Sequence, residues 1–168
     1  MSGPQLPVEV EAAAKREGFS GAEYNQVAMG AKVRTIQLIK LDFDTHPERM
    51  ADDAVLKLDY GRSVLSCRFD EETGTAAAIF QFHVTAKNGR AKAFSCSADY
   101  AVLYSMPEGA RAEAATSFCK HVGSFAAYPY FRAIAAQMAW NAGVDLPPLP
   151  TIAAMPVVPK PKLEDAKA

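Results

Sequence analysis

The chain has 168 residues, three cysteines and a formal net charge of −1, which suits one domain with a modest core and short tails. The near-neutral charge excludes the strongly basic surface that binding to nucleic acid or anionic lipid requires. Three widely spaced cysteines do not form a disulfide scaffold, and no apolar run is long enough to span a membrane. We therefore expect a soluble protein of the reducing cytoplasm.

The first 31 residues have the least regular pattern, and we predict a partly helical N-terminal extension over residues 1–31. Val8–Glu17 has a composition that favours a short helix. Ser20-Gly21-Ala22-Glu23 matches the capping box, in which the serine and glutamate side chains each bond to the other residue's backbone N–H. This motif predicts a second short helix that ends near Gly30.

Four extended segments follow, rich in β-branched and aromatic residues and bounded by turn-forming residues. They are Lys32–Phe43, Val55–Phe69, Thr75–Ala86 and Ala91–Ser105. Asn88-Gly89 lies between the third and fourth segments and predicts a tight hairpin, because both central positions of such a turn need positive φ. The segments therefore predict an antiparallel sheet.

Alternation of apolar residues predicts which side chains share a face of each strand. In the first strand it places Val33, Ile39, Leu41 and Phe43 on one face and Ile36 and Leu38 on the other. In the third strand it separates Phe80, Phe82 and Val84 from Ile79, Gln81, His83 and Thr85. In the fourth it groups Phe94, Cys96, Ala98, Tyr100, Val102 and Tyr104.

Two helices are predicted after the sheet. Ala110–Val122 has a helical pattern with Gly123 as its C-cap, and Pro129 is suited to the first position of another helix. That helix is nearly uncharged, and Gly143 is suited to end it. An apolar stripe runs along it through Tyr128, Phe131, Ala135, Met138 and Ala142. Because further apolar residues flank the stripe, we expect this helix to be buried between its own domain and a neighbouring subunit.

These elements predict an α+β fold, a four-stranded antiparallel sheet followed by two helices. The domain spans residues 32–155, and the Pro- and Lys-rich residues 156–168 form a mobile tail.

The order of these elements resembles the SecB family of protein-export chaperones. The motifs that carry the resemblance are Tyr128-Pro129-Tyr130 with Arg132, and Pro147-Pro148-Leu149, within a matching stretch from about Val33 to Leu149. The resemblance implies a tetramer assembled as a dimer of dimers. It also implies a long apolar groove that holds non-native precursor polypeptides without ATP, and docking on the export motor ATPase.

Several features differ from the usual family pattern. The tail segment Lys160–Asp165 contains no Cys or His, whereas the family's tail is often acidic or metal-binding and contacts the motor. The aromatic run Phe125–Tyr130 and the N-terminal extension are closer to divergent SecB-like chaperones, including those partnered with toxin–antitoxin pairs. Two roles therefore stay open, a general holdase that keeps preproteins export-competent and a chaperone dedicated to one partner such as an antitoxin. A small-ligand-binding protein is the alternative from another class.

The resemblance places the groove near the connection after the first strand, the second strand and the first of the two helices. The candidate client-binding residues are Phe43, Met50, Val55, Leu56, Leu58, Tyr60, Val64 and Phe118. No catalytic motif is present, and Cys119 and His121 lie two residues apart, on different faces of a helix. We predict a protein that is not an enzyme, uses no metal or cofactor, binds no nucleic acid and does not insert into membranes.

Overall fold

The computed structural model describes residues 18–49 and 56–152. In chain order the elements are α1 (Gly21–Gly30), β1 (Lys32–Thr45), a 3-10 turn (Pro47–Arg49), β2 (Lys57–Asp70), β3 (Thr75–Asn88), β4 (Ala91–Ser105) and α2 (Ala112–Asn141). The predicted helix over Val8–Glu17 and the predicted tail over residues 156–168 lie outside the described residues.

The predicted capping box begins α1. The Ser20 hydroxyl accepts a hydrogen bond from the Glu23 backbone N–H at 3.2 Å, and the Glu23 carboxylate accepts one from the Ser20 N–H at 2.6 Å. Tyr24 and Val27 are buried on the inner face of this helix, and the ring of Tyr24 contacts that of Phe118 on α2. The last part of the predicted N-terminal extension is therefore part of the hydrophobic core.

The four strands form one antiparallel sheet in the order β1-β4-β3-β2. The hairpin predicted at Asn88-Gly89 joins β3 to β4, and Gly89 has a φ of +58°, which favours glycine. The predicted faces of β3 and β4 are confirmed, since their aromatic and small apolar residues alternate as buried positions under α2. The strand order places β1 and β2 at opposite edges of the sheet.

The predicted faces of β1 are wrong in part, because two bulges interrupt the alternation. Arg34 and Ile39 are extra residues with no counterpart in β4, and each extra residue reverses which face the following side chains occupy. Their combined effect places five apolar residues opposite the buried residues of β4. These residues are Val33, Ile36, Leu38, Leu41 and Phe43.

The α+β class with four antiparallel strands and two helices is confirmed, but the predicted division of the C-terminal helical region is wrong. α2 runs without interruption through Gly123 and Pro129. Gly123 is needed for packing, because a Cβ there would lie 2.7 Å from two ring atoms of Phe80. Pro129 lies inside the helix, where it cannot donate to the carbonyl of Phe125. No helix within the described ranges is both long and apolar enough to cross a membrane.

A C-terminal strap, residues 144–152, follows the helix. Gly143 has a φ of +67°, and the Val144 N–H donates to the Ala139 carbonyl at 2.9 Å, so the predicted glycine helix end is confirmed. Leu149 and Ile152 of the strap are buried. The Tyr128 hydroxyl donates to the Pro150 carbonyl, which ties the strap back to the middle of α2.

Candidate functional site

The most exposed apolar surface of the sheet lies along β1. We call it the β1 strip, and its residues are Val33, Leu38, Leu41 and Phe43. They point to the helix side of the sheet, yet each remains 36 to 50% exposed. α2 packs on β2, β3 and β4 and barely touches β1. The strip is therefore an apolar edge that the protomer's own helix leaves uncovered.

The opposite edge of the sheet is better covered. Leu58, Tyr60 and Val64 of β2 face α2 and are only partly exposed. Arg62 on the same strand donates to the Ser124 hydroxyl at 2.8 Å, and its guanidinium lies 5.4 Å from the Phe125 ring centroid. These contacts join α2 to β2, at the edge of the sheet opposite β1.

A second group of exposed apolar side chains lies along α2. We call it the α2 outer face, and Phe125, Tyr130 and Trp140 are its large exposed residues. Trp140 is 82% exposed. The predicted stripe of this helix has a different role, because Tyr128 and Phe131 are buried in the protomer's own core.

The structure divides the predicted client-binding residues into separate groups. Phe43 lies in the β1 strip. Phe118 is only 6% exposed, between the rings of Tyr24 and Tyr104. Met50 and Val55 lie outside the described residues. The remaining four are half-buried at or beside β2, which two strands separate from β1, and they are Leu56, Leu58, Tyr60 and Val64.

The sequence did not identify the other three residues of the β1 strip, Val33, Leu38 and Leu41, as exposed client-binding candidates. Its alternation had separated Leu38 from Leu41 and Phe43. The only sequence signal was the unusual number of large apolar residues in a strand that also carries Arg34, Lys40 and Asp42.

The face of the sheet that α2 does not cover carries a cavity of about 490 Å³. Its lining includes Asp42, Asp44, His83 and Lys92. Asp44 contacts Lys92 at 2.6 Å, and the hydrogen bond from Lys92 is the main reason that the pKa of Asp44 is lowered. Asp42 pairs with Lys40 at 2.7 Å. Both carboxylates are therefore already paired with lysines.

No family model matches the chain, and no curated protein matches it in sequence. The fold is similar to that of a solved structure, the Mycobacterium tuberculosis Rv1957 SecB-like chaperone in complex with a ChAD peptide from the Rv1956 HigA1 antitoxin. The TM-score is 0.64 at 18% sequence identity, and the match covers 86% of this chain and 98% of that chain. The comparison shows that this chain has a SecB-like fold and confirms the fold that the resemblance implied.

Proposed function

We propose that the protein is an ATP-independent chaperone that binds non-native polypeptides on the β1 strip. The observation that carries the proposal is a row of four apolar side chains that stays exposed along an edge strand of a well-packed domain. Soluble proteins rarely keep contiguous apolar surface open unless a partner covers it. The SecB-like fold supports the same conclusion, since the similar solved structure is a chaperone with a bound peptide.

The energetics of such a surface suit a holdase. Burying about 600 Å² of apolar surface gives roughly 15 kcal/mol before costs, at about 25 cal/mol/Å². Ordering an unfolded client cancels a large part of this gain. An extended client presents every second side chain to the strip, so binding needs apolar residues at that spacing and little else. We therefore expect moderate affinity and low sequence preference.

The predicted residues at the opposite edge remain part of the proposal. Leu58, Tyr60 and Val64 are half-buried in the isolated protomer and offer less surface than the strip. A long client that is already bound on the β1 strip could extend around the protomer and contact these three residues as a second site. Phe118 would contribute only if α1 moved, because Tyr24 packs against its ring.

We also propose that the chain assembles as a homotetramer, a dimer of dimers, through the α2 outer face. Trp140 and Phe125 are large and exposed on that face. A monomer would leave both apolar surfaces open, whereas assembly through α2 covers one and leaves the β1 strip for clients.

The deciding experiment measures how well the purified chain suppresses aggregation of a slow-folding protein, with native mass determined on the same sample. We expect suppression without ATP at near-stoichiometric ratios and a mass four times that of the protomer. A well-folded tetramer with no effect on aggregation would refute the chaperone proposal.

The identity of the client separates two versions of this function. A general holdase would protect many unfolded proteins, keep preproteins export-competent in the cytoplasm and dock on the export motor ATPase. A dedicated chaperone would protect one partner, and the antitoxin peptide bound to the similar chaperone favours this version. Competition decides between them, because an excess of unrelated unfolded protein displaces the partner only from a general holdase.

A further inference from the structure

A pair of cysteines, one on β2 and one on α2, meets in the core. The bulge at Leu65 turns Cys67 to the helix side of the sheet, where it pairs with buried Ala78 of β3. The Cys67 thiol lies 3.6 Å from the Thr116 carbonyl of α2. Cys119 follows three residues later, about one helical turn away, and its thiol is a hydrogen-bonding neighbour of the Cys67 thiol.

We propose that Cys67 and Cys119 form an intramolecular disulfide when the protein is exposed to hydrogen peroxide. Both sulfurs are held by elements that pack against each other in the native fold. The bond would therefore join β2 to α2 across a contact that already exists in the native fold.

The two thiols differ in access, which sets the order of the reaction. Cys67 is partly exposed, whereas Cys119 is completely buried. The hydrogen bond with Cys67, together with burial, raises the pKa of the Cys119 thiol, so Cys119 is a poor first nucleophile. The peroxide therefore reacts at Cys67.

The chemistry proceeds in two balanced steps. The Cys67 sulfur attacks one peroxide oxygen, the O–O bond breaks, and the products are a sulfenic acid at Cys67 and one water. The Cys119 sulfur then attacks the Cys67 sulfur, the S–O bond breaks, and the disulfide forms with release of a second water. Two thiols are oxidised by two electrons, and one hydrogen peroxide is reduced to two waters.

Cys96 provides an internal control. It is buried on β4 and pairs across the sheet with Val84 of β3 and Phe43 of β1. Burial raises the pKa of its thiol to about 11. We expect it to remain a free thiol under the same treatment.

The test treats the folded full-length chain with hydrogen peroxide, alkylates the remaining thiols in denaturant and digests with trypsin. Cleavage after Lys and Arg places the cysteines in peptides 63–68, 93–111 and 112–120. We expect peptides 63–68 and 112–120 to be joined with the loss of two hydrogens, and peptide 93–111 to be alkylated. Joining within one chain is checked by the mass of the denatured, non-reduced protein.

Variants keep the result interpretable. Cys67→Ala and Cys119→Ala should each abolish the joined peptide, and Cys96→Ala should retain it. Oxidation should raise the melting temperature of the native chain and of Cys96→Ala by roughly 5–10 °C, because the bond closes a loop of about 50 residues. Cys67→Ala should show no such rise. Three alkylated cysteines after treatment, or a Cys67 link between two chains, would overturn the proposal.

Discussion

The ring of Phe43 lies edge-on against the ring of Phe94, with centroids 5.6 Å apart and planes at 69°. Phe94 is fully buried, whereas Phe43 keeps 39% of its surface exposed. This pair marks the boundary between the core of the protomer and the β1 strip. Edge-to-face packing orients the Phe43 ring, so the strip presents an ordered apolar surface at its end.

Replacing Leu38 and Leu41 by serine should weaken client binding about ten-fold. Each leucine exposes a little over a third of its surface, so full burial under a client adds about 0.5–1 kcal/mol per residue. Binding of a fluorescently labelled unfolded protein measures the loss, and urea unfolding verifies that the double variant is folded. Met29→Ser is the matched control, because Met29 is 90% exposed on α1, outside the strip. Equal affinity of the double variant and the control would locate the client elsewhere.

Trp140 should report assembly, because it is the only tryptophan in the chain and is 82% exposed in the protomer. If the α2 outer face is the subunit interface, the fluorescence emission of Trp140 should shift to shorter wavelength as protein concentration rises, because assembly removes its indole from water. Dilution should reverse the shift in parallel with the native mass. A tetramer whose Trp140 still emits as a water-exposed indole would show that another face holds the subunits together.

Gly123→Ala should lower the free energy of unfolding by as much as about 2 kcal/mol. The new Cβ meets two ring atoms of Phe80 at 2.7 Å, and overpacking of this kind costs about 1–3 kcal/mol. Better helix propensity returns about 1 kcal/mol of that cost. Urea unfolding measures the difference, with Ala136→Gly on the exposed side of α2 as the control for propensity alone. A stabilised Gly123→Ala variant would mean that the helix shifts freely over the sheet.

Tyr128→Phe should loosen the C-terminal strap and cost about 1 kcal/mol, the usual worth of one hydrogen bond. The Tyr128 hydroxyl donates to the Pro150 carbonyl, and this bond joins the strap to α2. Limited proteolysis should cut within residues 144–152 sooner than in the unmodified chain. Tyr130→Phe removes an exposed hydroxyl two residues away, and it should change neither stability nor cleavage. Identical cleavage in both variants would show that buried Leu149 and Ile152 hold the strap without the hydrogen bond.

Protonation of Glu23 at acidic pH should weaken the attachment of α1 to the rest of the domain, because the Glu23 carboxylate pairs with Arg111 at 3.2 Å. The backbone N–H of Ser20, then its hydroxyl and the Arg111 guanidinium, hold the pKa of Glu23 below its ordinary value of 4.5. Because the folded pKa is the lower one, this contribution is fully present above pH 4.5 and is lost as the pH falls through the folded value. Glu23→Gln should therefore show a smaller loss of stability below pH 4.5, measured by urea unfolding across that range. Superimposable pH profiles for the two proteins would remove Glu23 from the explanation.

Local chemistry in the sequence determined much of the fold. The capping box at Ser20 and Glu23, the turn at Gly89 and the helix end at Gly143 each depend on residues within a few positions of one another, so their patterns predict structure directly. The alternation in β3 and β4 was equally reliable, because those central strands contain one buried face without a bulge between Phe80 and Val84 or between Phe94 and Tyr104.

Only the tertiary structure decided the rest, because it depends on partners that are distant in sequence. A glycine at position 123 is typical of a helix end. In the structure it lies inside the helix, where the ring of Phe80 leaves no room for a side chain. The bulges of β1 are defined against β4, and they bring Leu38, Leu41 and Phe43 to one face. The strand order then separates Phe43 from Tyr60 and Val64, although all were assigned to one groove. The same long-range packing brings Cys67 beside Cys119, a proximity that no spacing along the chain indicates.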